Sequence, residues 1–154
     1  MNLSALNKYK ENKRIEAKQA TGGLPRSIWE TYSAFANTAG GVILLGVLED
    51  KKDRTLYPVA LPDPQRLIAQ FLDGVNDTRV VNRNILQKKD VRVDVVDGME
   101  IVVIRVPRAK RIEKPIYIGG NPLTGSYKRV DDADIRCEEN EVHKMLADAA
   151  KKDG

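Results

Sequence analysis

The segment Trp29-Glu30-Thr31-Tyr32-Ser33-Ala34-Phe35-Ala36-Asn37-Thr38-Ala39-Gly40-Gly41-Val42-Ile43-Leu44-Leu45-Gly46-Val47-Leu48 changes its hydrophobic period halfway along. Its first half, with Ile28 just before it, places Ile28, Trp29, Tyr32, Phe35 and Ala36 on the 3.6-residue stripe of an amphipathic helix over 26–38, and Pro25 stands near the helix start. Gly40-Gly41 stops that helix. Val42 to Leu48 then runs apolar throughout, which predicts one central strand covered on both faces. A helix leading into a doubly covered strand needs other layers around it, so the chain reads as mixed α and β structure.

Working outward, Leu3 to Glu11 forms a short helix or lead-in, and Ile15-Glu16-Ala17-Lys18 alternates like a half-buried strand. Charged residues 49–54 make a turn. Asp63 caps a helix carrying Leu67, Ile68, Phe71 and Val75. Asp97-Gly98 between Val91–Val96 and Met99–Val106 is a strong hairpin signal. Pro115-Ile116-Tyr117-Ile118 and Ser126 to Val130 read as short strands, and Glu138 to Ala150 as a last helix with Val142, Met145, Leu146 and Ala149 on one face. The expected class is α+β: a mixed sheet of about five or six strands with about three helices, in one domain over 1–150 and a tail at 151–154.

A chain of 154 residues with 42% hydrophobic content can bury one real core, which excludes general disorder. No apolar run approaches the ~20 residues that span a bilayer, and no signal-like leader opens the chain, so the expectation is a cytoplasmic protein with no membrane partner. One cysteine, Cys137, and one histidine, His143, exclude a disulfide framework and a zinc cage. Charge is distributed unevenly. Residues 131–154 hold eight acids against four bases, whereas 105–129 holds seven bases against Glu113 alone. A basic stretch of that kind suits a polyanion, because clustered Lys and Arg raise the local potential and displace counterions. A solvated basic face kept for solubility explains it equally.

Three constellations could carry chemistry. Glu11 and Glu16 are five apart, Lys18 shares a strand face with Glu16, and Asp50 follows the apolar strand. If the two strands are neighbours, Glu11, Glu16 and Asp50 could bind Mg²⁺ or Mn²⁺ while Lys18 stabilises a developing phosphorane charge. The plainer reading is a surface Glu16–Lys18 ion pair. Arg108, Lys110, Arg111, Lys114, Lys128 and Arg129, with Tyr117 and Tyr127 for stacking, form a candidate nucleic-acid surface. Packing of both tyrosines on the core is the alternative. Gly120 to Ser126 has phosphate-loop glycine spacing but no lysine and no following helix, so it reads as a turn.

Taken together, Glu16-x-Lys18, Gly23-Leu24-Pro25, Trp29-Glu30, Ser33-Ala34-Phe35-Ala36-Asn37-Thr38-x-Gly40-Gly41, Gly46-Val47 with Glu49-Asp50, Ile104-x-Val106-Pro107, Lys114-Pro115-Ile116-Tyr117 and Gly125-Ser126-Tyr127-Lys128-Arg129 resemble the Schlafen-type AlbA domain. That family is also described as a divergent AAA, or ATP-binding, domain. The resemblance runs from about Tyr9 to Asp148. It implies a module that binds DNA or RNA at the N-terminus of a bacterial transcriptional regulator, with a C-terminal output domain beyond it. Animal Schlafens similar to this fold cleave structured RNA with three carboxylates, which by motif fall on Glu11, Glu16 and Asp50; this makes a metal-dependent endoribonuclease the alternative function. A nucleotide-binding regulatory domain is a second alternative, although no Walker motif is present. Departures are also visible: Val130-Asp131-Asp132 replaces the family's glycine after the Tyr-Lys-Arg strand, and the animal zinc ligands are missing. Two such lobes form a ring in those proteins, so one lobe here implies a homodimer to build a channel.

Overall fold

A computed structural model gives the architecture and describes residues 1–152. The central layer is a four-stranded mixed sheet in the order β1 (Ile15–Lys18), β2 (Gly41–Leu45), β6 (Met99–Val106) and β5 (Val91–Val96). β1 runs parallel to β2 with Glu16 opposite Ile43, and the other pairs are antiparallel. The β1–β2 crossover carries α1 (Ile28–Asn37), as a parallel connection requires.

Both faces of this sheet are covered, which explains its apolar composition. On one face Ile43, Leu45, Val102, Ile104 and Val106 meet α1 and α2 (Pro64–Val75) through Tyr32, Phe35, Leu67 and Phe71. On the other, Ile15, Leu44, Ile101 and Val103 pack under a 3₁₀ turn at Leu3–Lys8 and the ribbon of β3 (Val47–Glu49) and β4 (Leu56–Pro58). Successive residues of β2 therefore serve different cores. Asp63 caps α2 by accepting from Arg66 N at 3.1 Å, and Trp29 stacks on Phe71.

A second ribbon, β7 (Tyr127–Val130) with β8 (Ala133–Arg136), lies on α1 after the single turn α3 (Pro122–Gly125), and α4 (Glu139–Ala150) closes the described chain. Two polar residues one helical turn apart anchor it. Ser33 Oγ donates to Ile116 O at 2.6 Å and accepts from Tyr127 N, while Asn37 Nδ2 donates to Ile116 O and Tyr127 O and its Oδ1 accepts from Ile116 N. The motif around Phe35 is thus a clamp for the C-terminal third.

The α+β class, the parallel β1–β2 pair, the Asp97-Gly98 hairpin and three helices of at least ten residues agree with the sequence reading. Several details differ. The run 42–48 is two strands: Gly46 takes φ +85°, and a Cβ there would lie 2.7 Å from Leu61, so the chain turns out of the main sheet at that point. Strands are consequently divided among one sheet of four and two ribbons. Pro115–Ile118 makes only isolated bridges through Tyr117 and Ile118, because the Ser33–Asn37 clamp takes backbone groups a ladder would use. Asp131-Asp132 forms the β7–β8 turn, Asp131 at φ +54°, rather than the end of a phosphate-contacting strand. Residues 153–154 of the expected tail lie outside the described residues.

Candidate nucleic-acid interface and carboxylate cluster

The basic segment leaves β6 at Val106 and wraps over the end of α4. Arg108 and Lys110 are exposed and Lys114 is half-buried; with Arg111, Met145 and Asp148 they line a groove of ≈ 500 Å³. Burial and the neighbouring Arg108 charge both hold the Lys114 ammonium below its usual range. Arg111 is the scaffold of this groove: its Nη1 donates to Lys151 O at 3.1 Å and to Asp148 O, placing a cation on the carbonyl end of α4. Lys110 N donates to Glu113 Oε1, which fixes the turn between them.

The remaining sequence candidates are placed elsewhere. Tyr117 and Tyr127 are half-buried and line neither this groove nor its neighbour. Lys128 pairs with both oxygens of Glu141 at 2.9 and 3.0 Å, which raises its affinity for the proton.

Arg129 requires a correction. Its guanidinium is fully buried, 4.8 Å above the Phe35 ring, and is not available to an external phosphate. The Arg129 side chain points inward, onto the Phe35 ring of α1. Nη1 binds Glu16 Oε1 at 2.9 Å and Asp134 Oδ1 at 2.7 Å, and the other nitrogens donate to Asn12 O and Ile15 O.

That guanidinium organises the acidic constellation. Glu16 and Lys18 do share a face, with Lys18 Nζ 3.8 Å from Glu16 Oε2 and bonded to Ser27 Oγ at 3.0 Å. Glu11 folds back so that Oε2 accepts from Ala17 N. Burial, then the hydrogen bond and charge of Glu16, then a contact with Glu49, push its carboxyl up to about 8, against the lowering effect of Ala17 N. Asp50 is not in this group. Its Oδ1 accepts from Lys52 N and Asp53 N and holds the following turn. Glu49 takes the place expected for Asp50. Strand alternation contained that signal, since Glu49 lies two residues from the buried Val47 whereas Asp50 has already left the strand. Glu49 Oε2 is buried with no hydrogen-bond partner among the described residues.

One oxygen of each of the three carboxylates is already engaged. Glu16 Oε1 is held by Arg129, Glu11 Oε2 by Ala17 N, and Glu49 Oε1 lies 3.5 Å from Arg54 Nε. Among the described residues no three His, Cys, Asp or Glu side chains are grouped to hold a metal ion. As arranged, burial and the neighbouring Glu16 favour the protonated form of Glu11. Cys137 is buried, with its thiol pushed up to about 11 by burial, and His143 is exposed on α4. Among the described residues no helix is long and apolar enough to cross a membrane.

Residues 11–138 match the family described as Schlafen, AlbA_2. The chain is similar to the solution structure of the N-terminal domain of an ATP-dependent DNA helicase RecG-related protein from Nitrosomonas europaea, with 35% identity and a TM-score of 0.64, covering 88% of this chain and 90% of that one. It shares a fold with the DIP2311 protein from Corynebacterium diphtheriae at 16% identity and a TM-score of 0.56, covering 92% of this chain and 25% of that one. No curated protein matches it.

Proposed function

The chain belongs to the Schlafen AlbA_2 family, and from that premise we propose that it is a nucleic-acid-binding domain that seats a phosphate backbone on Arg108, Lys110 and Lys114. The observation that carries the proposal is the groove those residues line, in which Lys114 is half-buried beside a second cation. Two cations pressed together repel, and an anion between them removes the repulsion while releasing counterions from the polymer. Arg111 keeps the groove open from below by holding the end of α4. Tethering an attached domain to DNA is the role that suits such a module, and the helicase-related protein whose N-terminal domain resembles it supports that reading.

Fluorescence anisotropy with labelled duplex DNA, single-stranded DNA and RNA across a salt series is the test. The Arg108→Glu/Lys114→Glu variant, verified as folded by circular dichroism, is expected to bind at least ~10-fold more weakly, with a shallower dependence on salt. Unchanged affinity would overturn the proposal. Parallel incubations with Mn²⁺ and with EDTA address the alternative enzyme: Mn²⁺-dependent cleavage that disappears in Glu49→Gln would replace binding by nuclease activity. Saturable binding of a labelled ATP analogue, with no affinity for nucleic acid, would favour the nucleotide-sensing alternative.

A further inference from the structure

A second groove of ≈ 360 Å³ adjoins the first and shares Arg108 with it. It lies across the end of the main sheet, where the turn before β1, the start of β2 and the end of β6 come together. Arg14, Gly40, Gly41, Arg105, Pro107 and Arg108 line it.

The backbone makes this assembly possible. Gly40 sits at φ +75°, and a Cβ on it would stand 2.8 Å from Val106 O and 2.9 Å from Arg108 N. Only glycine lets the end of α1 lie so close to the strand carrying Arg105 and Arg108. Arg14 is then drawn in from the other side, its Nη2 donating to Ala39 O at 2.9 Å. One bond of that kind orients a guanidinium and leaves most of its five N–H groups for another acceptor. Arg105 is 65% exposed at its side chain, and its one ion pair, to Asp90 Oδ1, is long at 3.4 Å. Asp90 is itself buried and bonded through Oδ2 to Gln87 N, so it steadies Arg105 without covering it. Among the described residues no carboxylate lines the groove. Arg129 shows the contrast: that guanidinium meets two carboxylates and two carbonyls and has no access to solvent.

We propose that Arg14, Arg105 and Arg108, gathered around the Gly40-Gly41 turn, form a second phosphate subsite that continues the path of the nucleic acid across the end of the sheet. The inference rests on the nucleic-acid reading above and extends it to the chemistry recognised. Arg14 flanks β1 and Arg105 lies on β6 with β2 between, so the two are separated by two strand spacings, roughly 10 Å. Planar guanidinium groups suit phosphodiester oxygens through paired N–H bonds. Among the described residues no aromatic side chain lines either groove, so the track grips the backbone and tolerates any base sequence.

The experiment compares the unaltered domain, Arg14→Glu/Arg105→Glu, Arg105→Glu alone and Arg108→Glu/Lys114→Glu, using a 20-base-pair duplex of two unrelated sequences. Anisotropy is read across a salt series and melting temperature is recorded for each protein. The Arg14/Arg105 double variant is expected to bind at least ~10-fold more weakly, with the slope of log K against log salt reduced by about 2. Arg105→Glu, which disturbs no backbone contact of Arg14, is expected to reduce it by about 1. The unaltered domain is expected to bind both sequences equally. If Arg108→Glu/Lys114→Glu loses affinity while both Arg105-containing variants keep wild-type affinity and slope, the subsite is overturned and the parent reading stands. If the unaltered domain binds neither this duplex nor the single-stranded DNA and RNA of the first test, both fall. A clear preference for one sequence would overturn the backbone-only recognition.

Discussion

Replacing Arg129 by methionine removes a cation that four hydrogen-bonding groups share. Glu16 and Asp134, 15% and 14% exposed, lose the guanidinium that neutralises them, Asn12 O loses its donor and Ile15 O one of its two. Breaking a buried ion pair from one side costs about 3–5 kcal/mol, because the remaining charges stay desolvated. Against the 5–15 kcal/mol that typically holds a domain together, this is a large fraction, and at about 2–4 °C per kcal/mol it lowers the melting temperature by roughly 6–20 °C. Urea titration and thermal melts followed by circular dichroism measure it. Arg129→Lys is expected to be nearly as damaging, since one ammonium cannot serve carboxylates and carbonyls on different sides. The triple variant Arg129→Met/Glu16→Gln/Asp134→Asn is expected to recover much of the loss by removing the stranded charges. A melting temperature for Arg129→Met within about 2 °C of wild type would refute the reasoning, leaving Arg129 a side chain that solvent and ligands can reach.

Glu11 links stability to pH. Its carboxyl ionises near 4.5 when unconstrained and at about 8 in the fold. Between those values the folded chain keeps a proton that the unfolded chain has released. This stabilisation is therefore complete below about 4.5 and disappears as the pH rises through about 8. Glu11→Gln is expected to flatten that decline and raise the melting temperature at pH 8; parallel melting curves for the two proteins would contradict it. Phe35→Ala empties a fully buried site beneath Arg129 and against Gly41, and is expected to cost about 3–5 kcal/mol by urea titration. Gly74→Ala would bring a methyl to 2.2 Å from Trp29 Cζ2, and about 1–3 kcal/mol of overpacking should appear as a lower melting temperature.

Where hydrophobic period and turn chemistry decide an element, the sequence announces it: α1, the Asp63 cap and the Asp97-Gly98 hairpin all belong here. Gly46 shows the limit, because an apolar run looks the same whether it serves one sheet or bends between two. Site residues divide along similar lines. Glu16 and Lys18 were legible as one strand face, but the fate of Arg129 depends on a ribbon folding over α1, more than a hundred residues from its partners at Asn12 and Ile15. Composition counts a buried guanidinium and an exposed one alike. Arg14 carries no local signal, since its groove exists only once Gly40 meets Val106.

The outer edge of β1 has a further consequence. A sheet ordinarily ends in backbone groups that invite another strand. Here Ala17 N is taken by Glu11 Oε2, while Ile15 O receives both the backbone Asn12 N and Arg129 Nη2, so two side chains and a backbone turn stand in for a fifth strand. Those same side chains belong to the carboxylate cluster, and dismantling it would also unseal that border. Loss of both Glu11 and Arg129 would therefore open a pairing margin as well as weaken the core, and the Glu11→Ala/Arg129→Met variant is expected to elute as oligomers in size-exclusion chromatography below its melting temperature; a purely monomeric peak would contradict this.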